Sequence, residues 1–455
     1  MASHASHPCN GHGHGHHDYE EKENQHLEKL LDSARPFLHG ELEQVDPKLP
    51  ALVAVLRSAQ GGECWHKIGN FIDHLLCLYR ILKLWRYPEI LCLCGLYHSS
   101  YSNATTDLAV FGPDIGRGFI RAHLGGPAER LVYLFFSIAR MDLVRDYILH
   151  SYADDQELLD HLKASESSLR ISKESGGVFN HQEPWRKKVN SILPPEGITI
   201  KHKITGEDLG LSRRFVAAYL MMVAADFSEQ MFDFQDRIFE NYDGTLDFKG
   251  NNTVGALWPG NLKPGLWMHF ISRIAAVYLL VVREEEIFME QKKMRFSGEV
   301  EIDREDEDLE LVMPPVFEGC TRILVLKPIL RSTYLHIEAR DLYWEVICGQ
   351  AAESNMNKVE NLLLRCIERN PFVSEPHVVL AQVYLGQGRF KEAEREASRG
   401  LRLLLEWGSP WDKRIPWDGW VSWARVLRMK AKEKAWPKEA WSLFRLGVLR
   451  PKTTA

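Results

Sequence analysis

His74 lies inside an apolar helical stretch, residues 71–85, and His98 closes the next one, which opens after Pro88 and ends Gly95-Leu96-Tyr97-His98-Ser99. Far downstream, Asp226 and Glu229 interrupt the apolar run that begins near Arg213. Imidazole nitrogens and carboxylate oxygens both ligate divalent ions, so a helical bundle that supplies one histidine from each of two helices and a late acidic residue can gather them on one Zn, Fe or Mn. Such an ion would activate water or oxygen. Two other uses of His74 and His98 stay open: hydrogen-bonded residues of the core, or polar groups of a metal-free pocket for a small ligand. His66 and Asp73 flank the first helix, where they could orient the ligands from behind. Glu129 sits beside Arg130 in an otherwise apolar helix and reads first as an ion pair tying helices together, second as part of a site.

These residues need a rigid frame, and the apolar spacing supplies one. Leu75, Leu78, Leu82 and Trp85 recur at i, i+3, i+7 and i+10, one stripe of a helix. Residues 27–38 and 50–59 predict two leading helices ended by the Gly61-Gly62 break, and residues 127–140 and 212–239 predict two more. Between these the composition turns polar over residues 165–177. Residues 198–205 alternate apolar with polar as a short strand or hairpin would. We therefore expect a polar, mobile insertion over about 151–208.

Several runs here resemble the domain-of-unknown-function family DUF6817 across about residues 65–240. They are His74-Leu75-Leu76, Leu82-Lys83-Leu84-Trp85, Cys94-Gly95-Leu96-Tyr97-His98-Ser99 with Tyr101, Gly125 with Ala128-Glu129-Arg130-Leu131-Val132-Tyr133-Leu134-Phe135, and Ala225-Asp226-Phe227-Ser228-Glu229-Gln230. That family is similar in turn to HD-domain metal-dependent phosphohydrolases, whose motif is a first His, a His-Asp pair and a late Asp. The resemblance implies His74 as the first ligand, His98 as the second and Asp226 as the last. Ser99 departs from it, standing where the pair's Asp should be. A hydroxyl is a poor substitute for a bridging carboxylate, so one ion is expected rather than two.

Toward the carboxyl end a period of 34 appears, with one unit over residues 340–373 and the next over 374–407. In the second unit Leu380, Ala381, Tyr384, Gly388 and Ala393 occupy positions 7, 8, 11, 15 and 20; in the first, Tyr343, Cys366 and Pro371 occupy positions 4, 27 and 32. This resembles the tetratricopeptide pattern, in which small residues let two helices approach and large ones fill the groove between hairpins. A less regular third unit is expected over about 421–450, after a Trp-rich insertion at 411–420, and residues 322–339 are expected to cap the array. The resemblance implies a concave groove for a protein partner, with Arg389, Lys391, Trp407, Trp411, Trp417, Trp420 and Trp423 as exposed contact candidates, since Trp and Arg dominate interface energetics. The alternative is that the repeats only pack against the N-terminal domain.

The remaining signals are exclusions. Of 455 residues, 45% are apolar and 26% charged, a globular mixture, and a formal net charge of -6 gives no global attraction to nucleic acid or to membrane lipid. The longest apolar run, 266–282, contains His269, Ser272 and Arg273 and reads as a buried helix. Eight cysteines without a C-x-x-C spacing, and no leader sequence at the start, suggest a cytoplasmic protein, with the nucleus also open. Residues 1–26 carry His4, His7, His12, His14, His16 and His17 among Gly and Ser and are expected to be a disordered tail, able to chelate metal. Acidic residues 299–310 predict a solvated loop. No phosphate-binding Gly-rich loop, nucleophile elbow, kinase or Rossmann fingerprint is present.

The expectation is thus an all-α chain. It has an HD-like bundle over 27–240, a connecting helix and acidic loop over 241–320, and a tetratricopeptide-like α-solenoid over 321–455. The first reading of its function is protein interaction through the repeats, with the bundle as a regulatory or ligand-sensing module. The second is a metal-dependent hydrolase or oxygenase.

Overall fold

The computed structural model describes residues 14–59, 61–66, 69–101, 109–112, 114–174, 180, 182–230, 268–295, 309–314, 316–317, 333–348 and 355–439. Among these the chain is mostly helical, with two short antiparallel hairpins: β1 (Trp65–His66) with β2 (Gly69–Asn70), and β3 (Ile198–Lys201) with β4 (Asp208–Leu211). No described helix is long and apolar enough to cross a membrane.

The chain enters through α1 (His14–His39), α2 (Leu42–Val45) and α3 (Leu49–Ser58). The first hairpin then delivers it to α4 (Phe71–Leu84), whose start is fixed by Asn70: its side-chain oxygen accepts the Asp73 backbone N–H at 3.0 Å, satisfying a donor the first turn leaves open. Helix α5 (Glu89–Tyr97) follows after Pro88. Leu75, Leu78, Leu82 and Trp85 are all buried, as their stripe predicts. Next come α6 (Arg117–Leu124), α7 (Gly126–Ser137) and a π-helical turn over Asp142–Ile148. Helix α10 (Arg213–Gln230) is buried on every side from Phe215 to Ser228, the signature of a helix at the centre of a bundle.

The 151–208 stretch differs from the expectation of a mobile insertion. It forms α8 (Asp155–Glu174) and α9 (Pro184–Ile192), and it is bolted to α11 (Met268–Arg295). Leu158, Leu159 and Leu162 face the core while the polar residues between them face water. Arg273 bonds Asp155, Arg283 bonds the Ser165 hydroxyl at 2.6 Å, and buried Arg186 forks onto Glu284 at 2.6 and 3.0 Å. A stretch that looks polar in one dimension is amphipathic once wound at 3.6 residues per turn. The second hairpin does form, from residue 198.

A second core gathers α12 (Thr333–Cys348), α13 (Met356–Arg369), α14 (Glu375–Gly386), α15 (Phe390–Trp407) and α16 (Trp417–Glu433), each packed on the next. Gly400 of α15 sits where an added Cβ would meet Val378 Cγ2 at 2.6 Å and the Ser374 carbonyl oxygen at 3.1 Å, so the α14–α15 approach depends on its missing side chain. We expect Gly400→Val to lower stability by about 1–3 kcal/mol through overpacking; thermal unfolding reads this, and an unchanged midpoint would mean the hairpin can splay at no cost.

The disordered-tail expectation is corrected for residues 14–26, which belong to α1. Leu27, Leu30, Leu31 and Ala34 of this helix pack into the second core. Glu23 bonds Arg402, and Arg428 bonds both Asn24 and Glu28. Burying that leucine face outweighs the weak helical tendency of the residues before it. Residues 1–13, the acidic run over 301–308, most of the capping stretch 322–339 and the end of the third repeat from 440 lie outside the described residues.

Candidate metal centre

Helix α4 carries His74, the end of α5 carries His98 and the last turns of the central α10 carry Asp226. The three are 3%, 1% and 0% exposed. One ligand atom from each falls within 4.8 Å of the others. His74 Nε2 stands 3.4 Å from His98 Nε2 and 3.5 Å from Asp226 Oδ1. A tetrahedral ion with bonds near 2.1 Å holds its ligand atoms about 3.4 Å apart, so the separations of His74 from His98 and from Asp226 suit one ion.

The back sides of the ligands are engaged in the manner that aims them inward. His98 Nδ1 donates to the Gly95 carbonyl at 2.8 Å, which places its lone pair on Nε2. His74 Nδ1 bonds Glu229 Oε2 at 2.5 Å, the carboxylate–histidine arrangement that fixes ring tautomer and orientation. Asp226 Oδ2 accepts from Arg140 Nη1, while Oδ1, the oxygen facing the histidines, has no hydrogen-bond partner among the described residues. A buried carboxylate oxygen without a donor is costly, and a cation at this point would satisfy it.

The electrostatics agree. Burial holds the His98 imidazole down at about 3, so it is neutral and its lone pair is available at physiological pH. Burial acts to raise the Asp226 carboxyl, but Arg140 with His98 and His74 outweighs it and keeps the group at about 2. Glu229 is lowered likewise: burial works against ionisation, and the charge and hydrogen bond of His74 overcome it. His98 therefore offers a neutral imidazole and Asp226 an ionised carboxylate.

The neighbouring candidates sort themselves by distance. The His66 ring packs at a tilt against His74, with centroids 4.5 Å apart, and backs it from the first hairpin. Asp73 instead joins Asn70 at the cap of α4. Ser99 is buried and its hydroxyl has no partner. Glu129 is tied to Arg117 and Arg121 of α6 and to the Tyr101 hydroxyl, an ion-paired knot between α6 and α7 that uses neither Arg130 nor the metal ligands. Arg140 and Glu229 are the functional neighbours sequence reasoning did not assign. The only available signal for Arg140 was a lone arginine in an apolar stretch.

The exposed-tryptophan expectation is corrected. Trp407, Trp411, Trp417 and Trp420 are buried. Three of their indole N–H groups end on backbone carbonyls: Trp407 on Phe372, Trp417 on Leu404 and Trp420 on Asp412. Trp423 is half-buried against Gln382. Arg389 is engaged by Glu360 and Glu392, and Lys391 is exposed.

The loop 408–416 runs between the two cores. Asp412 accepts from the Tyr343 hydroxyl of α12 at 2.9 Å, the Trp411 backbone N–H donates to Glu375 of α14 at 2.8 Å, and the Trp411 ring lies on Tyr343. The face made by the first helices of successive hairpins thus holds the protein's own residues. On its other side the loop meets the bundle. Arg80 of α4 donates to the Gly408 carbonyl, and Ser409 and Lys413 both donate to the Ser228 carbonyl, two residues beyond Asp226.

Comparison with curated proteins and with solved structures returns no match. A family model described as a domain of unknown function, DUF6817, matches residues 55–140, so over the stretch that carries both histidines and Arg140 the chain is similar to that family.

Proposed function

We propose that the bundle is an HD-like domain holding one divalent transition-metal ion between His74, His98 and Asp226, and that it is a mononuclear metal-dependent hydrolase. The observation that carries this is the convergence of two oriented Nε2 atoms and a partnerless carboxylate oxygen at ligand spacing. Three protein ligands are the number found in catalytic sites, which keep a position open, whereas structural sites are closed by four. When bound, such an ion supplies Lewis acidity and makes coordinated water acidic enough to ionise near neutral pH. Glu229 fixes the tautomer of His74, Arg140 keeps Asp226 ionised, and Phe135, packed edge-on against His98, excludes bulk water on that side.

The test is elemental analysis of the full chain with His4, His7, His12, His14, His16 and His17 changed to serine, which removes adventitious chelation. We expect about one equivalent of Zn, Fe or Mn, falling below about a tenth in His98→Ala. Retention of metal by His98→Ala, or none in the parent, would sink the reading.

A second reading treats the hairpins as tetratricopeptide-like and partner-binding. Their period of 34 supports it, as do exposed Met356 and Leu364 on α13. Affinity capture with the full chain and with Leu364→Asp tests it: identical partners recovered by both would remove that surface from consideration.

A further inference from the structure

Arg140 is 2% exposed, and its Nη1 donates to Asp226. Its other two nitrogens, Nε and Nη2, are buried and make no well-formed hydrogen bond among the described residues. These two belong to one edge of the planar group, the side-on fork whose parallel N–H bonds match two oxygens of a carboxylate or phosphoryl group. The flat face of the guanidinium is already covered by the Phe135 ring, 4.7 Å from its centroid, so the edge is what remains.

A third donor stands nearby. The Tyr219 hydroxyl is buried and makes no well-formed hydrogen bond among the described residues, and its ring packs on the same Phe135 with centroids 5.1 Å apart. Burial raises its phenol, while the charge of Arg140 and a hydrogen-bonding contact with it act in the opposite sense, so the hydroxyl lies directly beside the guanidinium. Leaving a buried donor unmet is costly, and more so for a charged group. Three such donors on two neighbouring side chains form a receptor for acceptor oxygens.

We propose that the Arg140 fork and the Tyr219 hydroxyl bind an oxyanion, a carboxylate or phosphoryl group of a small ligand, directly behind Asp226. The proposal adds a ligand class to the site described above, but the fork does not depend on an ion being present. Arg140 holds the ligand side-on while its third nitrogen keeps Asp226 in place, so anchoring the ligand and orienting the metal ligand fall to one side chain.

The test uses the full chain, chelator-treated and zinc-loaded, titrated calorimetrically to millimolar concentration with inorganic phosphate in one arm and acetate in the other. We expect saturable binding of one probe at one site, which identifies the group. Tyr219→Phe removes only a hydroxyl, and Arg140→Lys keeps the charge beside Asp226 while losing the fork; each should weaken binding at least about tenfold. If Arg140→Lys does not fold, Tyr219→Phe decides. Absence of binding by both probes in both forms overturns the proposal, as does binding that Tyr219→Phe leaves unchanged. Oxyanion binding without zinc uptake would retain this site and retire the metal reading, and zinc uptake without oxyanion binding would do the reverse.

Discussion

Asp226→Ala should lower the unfolding free energy by about 3–5 kcal/mol, because it strands the Arg140 guanidinium as an uncompensated charge in the core. Asp226 accepts a hydrogen bond from Arg140 Nη1, and both residues are sealed from water. Urea denaturation of chelator-treated protein isolates this effect from any contribution of bound metal. Asp226→Asn should cost less, since its amide oxygen still accepts from Arg140. Replacing both partners with apolar residues, Arg140→Met with Asp226→Leu, should recover much of the loss. A single alanine variant as stable as the parent would mean that the guanidinium finds another anion, and the account of how Asp226 is held would fail.

The second large effect belongs to Glu375 and follows pH. Burial pushes its carboxyl up from an ordinary value of 4.5 to about 7, with the charge of Asp412 adding to the rise and the hydrogen bond from the Trp411 backbone opposing it. The folded chain therefore holds this proton more tightly than the unfolded one. The stabilisation is fully present below about pH 4.5 and is lost as pH rises through about 7, a change on the order of 3 kcal/mol. Glu375→Gln keeps an acceptor for Trp411 but cannot ionise. Its stability should stay level between about pH 5 and 8 where the parent declines, and at pH 8 it should be the more stable of the two. Parallel curves for parent and variant would show that Glu375 titrates normally.

The local frame was legible because it is periodic. The stripe Leu75, Leu78, Leu82, Trp85 gives α4, and the uninterrupted apolar run after Arg213 gives a helix buried all round. His74, His98 and Asp226 were nameable because polar groups on such helices have few other uses, and their convergence follows from α4, α5 and α10 packing together. What the sequence hid are relationships that no periodicity encodes. Arg140 approaches Asp226 from the start of a π-helical turn, and the Trp-rich stretch is an insertion with no position in the repeat, so nothing in the period tells whether its indoles face water. Trp417 and Trp420 face inward, where the Leu404 carbonyl near the end of α15 and the Asp412 carbonyl of the loop itself accept their N–H groups. The helix over 155–174 was concealed by Ser and Glu on its outer face, residues that helices accept readily when the leucines beneath them are buried.

The loop 408–416 has a thermodynamic consequence for anything that would claim the surface it covers. Because it is tethered at both ends, it competes for Tyr343 and Glu375 at an effective concentration in the millimolar range, about 10³-fold above a micromolar soluble protein. An incoming chain must either outbid that tether or wait for it to open. Opening also withdraws Ser409 and Lys413 from the carbonyl of Ser228, so displacing the loop disturbs the backbone of α10 two residues from Asp226.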